Sequence, residues 1–107
     1  MLLKRAGDKV NEFWISFAQK HPALSILVKN YLATLHFFPN ETNPGLRSIG
    51  PLARLDPYSV THFCTESVHH AEVVANRFVI PFAAALRAAE EFLAQKTLPT
   101  QIEWLQL

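Results

Sequence analysis

The sequence has little of what membrane proteins, disulfide scaffolds and thiolate clusters require. It has one cysteine and three glycines among 107 residues, and charged residues make up only 18%. The single cysteine, Cys64, excludes a disulfide within the chain and a metal cluster built on several thiolates. The longest uncharged runs, 30–40 and 78–86, are much shorter than the roughly 18–20 residues of a membrane-spanning helix. We therefore expect no membrane span.

The charge pattern excludes further classes. Lysine and arginine total ten against nine acidic residues, and the cations are scattered along the chain rather than clustered. Phosphate binding draws on clustered cations, so nucleic acid is not the expected partner. Charges at positions 4, 5, 8 and 9 interrupt the apolar run that a secretory signal would need. A cytoplasmic protein is the expectation, and half of its residues are hydrophobic, enough for one folded domain over 1–107.

The spacing of apolar residues predicts helices. They recur at three- and four-residue steps over 3–20 and again from Pro22 to about Phe38, while the alternation typical of strands is not evident. A third apolar face runs from the helix start at Asp56-Pro57 to about residue 96. Pro81 interrupts it, so this stretch is either one kinked helix or two.

The predicted fold is all-α. A proline-rich loop over 39–57 separates the second and third helices, and its leucines either strap it to the core or leave it for a function. Thr100 and Glu103 have the spacing of a capping box, which predicts a short C-terminal helix. About four main helices and this short one would pack as a bundle or an orthogonal array.

One stretch has the residue types of a chemical site. HFCTESVHH, residues 62–70, contains three histidines, a glutamate and Cys64. Glu66 and His69 have the Glu-x-x-His spacing with which di-iron four-helix bundles supply two ligands from one helix. Cys64 lies on the predicted apolar face, away from His62, which argues against cysteine-histidine catalysis.

Two interpretations of this stretch compete. In the first, its polar residues form the outward face of an amphipathic helix, which requires nothing further of them. In the second, the protein is a bundle that binds a transition metal. The candidate metal ligands are Glu66, His69, Glu12, His62 and His70. We favour the first interpretation, because a di-iron site takes two Glu-x-x-His pairs and the chain has one.

The apolar width of the second predicted helix and the alanine-rich segment after Pro81 predict a partner. We expect a non-enzymatic interaction protein without a cofactor, either a homo-oligomer or a small subunit of a complex. The metal-binding bundle is the alternative, and a helical carrier of a small hydrophobic ligand is also open. The candidate interface residues are Leu27, Tyr31, Phe78, Phe82, Leu86 and Trp104.

Overall fold

The chain folds mainly into β-structure. A computed structural model describes residues 12–51, 53–64 and 71–107. Within these ranges it forms eight strands, one 3₁₀ turn and one α-helix, so the all-α prediction is wrong. The elements are β1 (Glu12–Ile15), β2 (Ala23–Lys29), β3 (Leu32–Phe38), β4 (Leu46–Ile49), β5 (Val60–Cys64), β6 (Ala71–Ala75), the 3₁₀ turn (Asn76–Phe78), β7 (Ile80–Pro81), α1 (Phe82–Gln95) and β8 (Glu103–Gln106).

Most strands belong to one antiparallel sheet with the order β1-β2-β3-β4-β8. The two-residue strand β7 pairs with the beginning of β3, on the edge whose later part pairs with β4. Strands β5 and β6 form a separate hairpin. Within the described part of the chain, β1 has a strand neighbour on one side only, so it is an edge strand of the sheet.

The predicted second helix is the central hairpin of the sheet. Strands β2 and β3 are joined by a tight turn at Asn30 and Tyr31, and Asn30 has a φ of 54°, which asparagine tolerates better than most residues. Both faces of these strands are covered, so their sequence is a continuous apolar run rather than an alternating one. Such a run fits the spacing of a helix as readily as that of a strand, which explains the wrong prediction.

The sheet has two differently covered faces. On the first, which we call the helix face, α1 packs against alternate residues of the central strands, including Leu24, Ile26 and Leu35. On the second, the hairpin face, the β5–β6 hairpin packs over Leu27. The hairpin-face cluster of buried hydrophobic residues is Leu27, Phe63, Val74 and Val79.

Helix α1 begins directly after Pro81, whose extended backbone ends β7. Four of its alanines are buried, which allows the helix backbone to approach the sheet closely. The helix ends where Lys96 adopts a left-handed φ of 58° and its N–H donates to the Phe92 carbonyl at 2.8 Å. At fourteen residues, the one helix in the described ranges is too short to cross a membrane.

In the part that the structure describes, the predicted third helix is α-helical only after Pro81. Up to Pro81, its described residues form strands β5 and β6, the 3₁₀ turn and β7. Asp56, expected to cap this helix, instead accepts a hydrogen bond through Oδ1 from the backbone N–H of Tyr58 at 3.0 Å. This local turn satisfies the aspartate without starting a helix.

The predicted first helix is also not formed where the structure describes it, since β1 occupies Glu12–Ile15. The proline-rich segment 39–57 is largely loop but contains β4, whose Leu46 packs against the helix-face core. The predicted loop over 39–57 therefore includes a short strand.

The predicted C-terminal helix is strand β8, the edge strand beyond β4. The capping box that supported it does not form, because Thr100 has another partner. The Glu91 carboxylate accepts a hydrogen bond from the Thr100 backbone N–H at 2.9 Å and one from its hydroxyl at 3.0 Å. Glu91 thereby fastens the segment after α1 to the helix itself.

Candidate functional site

The predicted metal ligands are only partly described. Three of them lie outside the described residues: Glu66, His69 and His70. His62 is exposed on β5, and Glu12 accepts a hydrogen bond from the indole N–H of Trp14 at 2.7 Å. Among residues 12–51, 53–64 and 71–107, no three histidine, cysteine, aspartate or glutamate side chains come together. Metal binding by the histidine stretch remains a prediction. The helical spacing on which it was based does not apply as far as Cys64, because residues 60–64 form strand β5.

Three of the predicted interface residues take part in packing within the chain. Leu27 is buried beneath the hairpin, and Phe78 packs against the same cluster. Trp104 packs against the helix-face core from β8, and its indole N–H donates to the Pro99 carbonyl at 2.8 Å. These contacts are already made in a single copy, so they leave little of the three side chains for a partner.

The other three lie together near the start of α1. Tyr31 is 86% exposed in the β2–β3 turn, and its carbonyl accepts a hydrogen bond from the backbone N–H of Phe82 at 2.7 Å. Phe82 is 37% exposed and Leu86 47% exposed. Of these three, Phe82 and Leu86 line a common groove.

This groove has a volume of about 240 Å³ and runs between α1 and the β1 side of the sheet. The sheet contributes Phe13, Ile15, Ile26 and Val28. The helix contributes Phe82, Ala85, Leu86, Ala89, Glu90 and Leu93. Glu90 is the single charged residue among these, so the groove offers almost nothing but apolar contact.

The helix forms an apolar ridge along the groove. Phe82, Leu86 and Leu93 follow the helical repeat and fall within about 40° of one another around the axis. They flank the buried alanine face, and Leu93 is 38% exposed. The ridge therefore extends the core-facing side of α1, and no described residue covers it.

The groove exists because one helix cannot cover one face of this sheet. Strands lie about 4.8 Å apart, so five of them span roughly 20–24 Å, whereas a helix with its side chains is about 10–12 Å wide. On the β8 side of α1, Leu98, Ile102 and Trp104 fill the remaining space. On the β1 side no described residue does so.

Sequence reasoning identified Phe82 and Leu86 but missed the sheet side of the groove. Phe13, Ile26 and Val28 fall within predicted helices, and the strand pairing that places them beside α1 was not predicted. Leu93 was recognised only as part of an apolar helix face. One sequence signal could have indicated the groove. Phe82, Leu86 and Leu93 make the apolar face of this helix wider than the face formed by its alanines alone.

The hairpin face is closed by polar contacts in addition to its small apolar cluster. The Arg47 guanidinium lies 3.4 Å from the Glu72 carboxylate on β6 and donates to the Thr34 hydroxyl at 3.3 Å. The Thr34 hydroxyl donates to the Phe78 carbonyl at 2.9 Å, and Arg47 also lies over the Phe78 ring at 5.6 Å. These contacts join the sheet, the hairpin and the 3₁₀ turn.

His36 lies beside this cluster on the same face. Its Nε2 is 2.8 Å from the Pro44 carbonyl oxygen, and its ring stacks on Phe38 at 4.0 Å between centroids. Burial lowers the pKa of His36 below its usual 6.5. The hydrogen bond to the Pro44 carbonyl and the charge of Glu72 oppose this shift, and the positive charge of Arg47 adds to it. A neutral ring satisfies the site, because Nε2–H donates to the carbonyl.

Comparison with models of known protein families finds no match to this chain, and comparison with curated proteins finds no similar sequence. No residue role is therefore transferred from another protein.

Proposed function

We propose that this chain is a non-enzymatic assembly protein that binds a second copy of itself through the groove beside α1. The observation that supports the proposal is the half-exposed ridge of Phe82, Leu86 and Leu93 along an almost wholly apolar groove. A contiguous apolar surface of this kind is typical of an interaction site, whereas isolated exposed hydrophobic residues are ordinary.

A second copy is the occupant because the same surface supplies both a ridge and a trough. Two-fold symmetric interfaces require this self-complementarity, since each patch meets itself. The trough consists of small residues of α1, Ala85 and Ala89, and of the sheet residues beneath them. The ridge of one copy therefore has a counterpart of matching size and polarity in the other.

An antiparallel arrangement of the two helices gives one consistent register. If Phe82 lies opposite the partner copy's Leu93, then Leu86 lies opposite its Ala89, because both pairs have the same midpoint in the sequence. Large residues then meet large residues at the ends of the interface, and a large residue meets a small one near its centre. The ridge from Phe82 to Leu93 is about 16 Å long, about three helical turns.

The test is sedimentation velocity of the full chain over a range of concentrations. We expect a monomer–dimer equilibrium for the wild type. Leu86→Glu should weaken the dimer by roughly a hundredfold or more, because it removes two buried leucine contacts in each dimer. Leu86 is half-exposed in one copy, so the variant should keep the fold, which circular dichroism can verify.

The matched control is Val73→Glu, which places the same charge on an exposed hydrophobic residue of the hairpin. Val73 is 57% exposed on β6 and does not line the groove. This variant should dimerise like the wild type. Equal weakening by both variants would indicate a general effect of charge rather than an interface at the groove.

The register has its own test, with a pair of charged substitutions. Phe82→Lys and Leu93→Glu should each weaken the dimer, and the double variant should recover part of the affinity through Lys–Glu pairs across the interface. The two positions are eleven residues apart on α1, so this rescue cannot arise within one helix. A wild type that stays monomeric up to millimolar concentration contradicts the proposal.

A further inference from the structure

A second cavity lies away from the groove and shares no lining residue with it. It has a volume of about 420 Å³ and lies between the segment after β4, the 3₁₀ turn and β8. This volume is within the range of small-molecule sites, about 300–1,000 Å³. Its apolar walls are Ile49, Leu55, Phe78, Val79 and Leu105.

Two arginines, Arg54 and Arg77, line the same cavity, and no acidic side chain is among its described lining residues. Both arginines are exposed. Within the described ranges, the ion pair between Arg47 and Glu72 does not involve either of them, and no other ion pair is formed. The Arg77 guanidinium lies over the Phe78 ring at 4.6 Å, which holds the charge against an apolar wall.

The walls around the arginines are fixed by hydrogen bonds of the backbone. The Gly50 N–H donates to the Arg77 carbonyl at 3.1 Å, and the Arg54 N–H donates to the Pro51 carbonyl at 2.9 Å. Asn76 is buried, and its side-chain NH₂ donates to the Asp56 carbonyl at 2.9 Å. The loop and the 3₁₀ turn are therefore joined before any ligand arrives, which reduces the entropy lost on binding.

We infer that this cavity binds a small organic anion whose apolar body lies against Phe78 and Leu105 and whose anionic head is held by Arg54 and Arg77. A guanidinium offers a planar pair of donors that matches a carboxylate or a phosphate. The apolar walls give the body of the ligand its affinity, and the arginines select the charge. The cavity is too small for a folded partner, which makes a small molecule the ligand class.

The experiment titrates four naphthalene compounds into ¹⁵N-labelled full-length protein and follows backbone amide shifts. The compounds are 2-naphthoate, 2-naphthyl phosphate, the neutral 2-naphthalenemethanol and a naphthylmethyl trimethylammonium cation. We expect the anions to shift the amides of Gly50, Arg77 and Val79. They should bind at least tenfold more tightly than the neutral compound, and the cation should bind more weakly still. The tighter of the two anions assigns the head group as carboxylate or phosphate.

Substitutions at the arginines test the role of charge. Arg77→Gln and Arg54→Gln should each weaken binding of the better anion at least fivefold. Arg77→Lys should weaken it less, because the charge remains but the planar pair of donors is lost. Arg87→Gln is the matched control, since Arg87 is an exposed arginine on α1 that does not line the cavity, and it should leave binding unchanged.

Four results would overturn the inference. The first is an absence of shifts at millimolar anion, and the second is equal affinity for the anions and the neutral compound. The third is a loss of binding in Arg87→Gln as large as that in Arg77→Gln. Amide shifts confined to the groove residues Phe13 and Leu86 also overturn it, because the compounds would then be binding the other apolar surface.

Discussion

The helix face and the hairpin face of the sheet are closed by different kinds of interaction. On the hairpin face, four buried hydrophobic residues are supplemented by the contacts of Arg47 with Glu72 and of Thr34 with Phe78. On the helix face, a larger apolar cluster packs beneath α1 and ends in an apolar groove. Polar contacts are directional and require particular partners, whereas apolar surface can be covered by any apolar partner. We therefore propose that self-association uses the helix face.

The largest expected effect on stability comes from replacing a buried phenylalanine by alanine on each face. Phe92 and Phe63 are both fully buried, but Phe92 contacts the rings of Phe17 and Phe37, while Phe63 lies in the cluster of four. We expect Phe92→Ala to lower the free energy of unfolding by about 5 kcal/mol and Phe63→Ala by about 3 kcal/mol. Urea denaturation measures both values.

Hydrogen exchange adds a second readout for this pair. Phe63→Ala should speed exchange mainly in β5 and β6, since the hairpin can separate from a sheet that stays folded. Phe92→Ala should speed exchange throughout the sheet. Equal costs with equally global loss of protection would mean that the two faces form one cooperative core, and the comparison would fail.

The next effect concerns the edge of the hairpin face at Gly45. A Cβ at this position would lie 2.6 Å from His36 Nε2 and 2.6 Å from the Phe37 carbonyl, and φ is +96°. Gly45→Ala should therefore lower the free energy of unfolding by about 3 kcal/mol through strain and steric overlap together.

Gly50→Ala is its control, because φ is +133° but the nearest atom to a Cβ at this position, Glu103 Oε2, is 3.8 Å away. It should cost less, about 1–2 kcal/mol, from backbone strain alone. Thermal unfolding of both variants separates the two terms. A Gly45→Ala chain as stable as Gly50→Ala would show that His36 moves aside without cost.

A smaller effect is expected from the polar contacts themselves. Thr34→Val keeps the size of a buried side chain but removes the hydroxyl that links Arg47 to the Phe78 carbonyl. We expect Thr34→Val to lower the free energy of unfolding by about 1 kcal/mol. Thr34→Ser keeps the hydroxyl and should therefore keep most of the wild-type stability. If Thr34→Val is neutral in urea denaturation, the Thr34 hydroxyl adds nothing to the stability of the hairpin face.

The smallest effect is the pH dependence that His36 contributes. Its pKa is lowered in the folded chain, mainly by burial, so the unfolded chain binds the proton more readily. Stability is then full above the unfolded pKa of 6.5, falls as the pH drops through 6.5 and becomes constant below the folded pKa. His36→Gln removes the titrating group but keeps a side-chain donor for Pro44.

The measurement is urea denaturation of both chains at neutral and mildly acidic pH. The wild type should lose more stability on acidification than His36→Gln, and the difference isolates this histidine from the others. An equal loss in both chains would place the acid sensitivity elsewhere.

The sequence allowed prediction of the parts whose local signals agree with the tertiary structure. Pro81 marks the boundary before α1, and the alanine-rich segment after it is helical. The sheet could not be predicted in the same way, because β2 and β3 are covered on both faces and show no alternation. The turn at Asn30 was the one local sign of a hairpin, and a single asparagine is compatible with a helix as well.

The groove residues also divide into those that the sequence allowed us to predict and those that it did not. Phe82 and Leu86 could be identified because they lie on the one element that was correctly recognised as helical. Phe13 and Val28 reach the groove only through pairing between β1, β2 and β3, which depends on contacts between distant parts of the chain. The cavity with Arg54 and Arg77 likewise depends on the 3₁₀ turn folding back against the loop, which no local pattern indicates.

The most direct test of self-association through the helix face is a distance between two copies. Glu90 borders the groove, so a spin label at Glu90→Cys in a Cys64→Ser background should report on a partner copy without removing the ridge. Helix axes in contact are about 8–10 Å apart, so we expect double electron–electron resonance to give a narrow distribution of label distances below about 30 Å. Leu86→Glu should abolish this distribution. The absence of any defined distance at high protein concentration, or a distance that persists in Leu86→Glu, would contradict it.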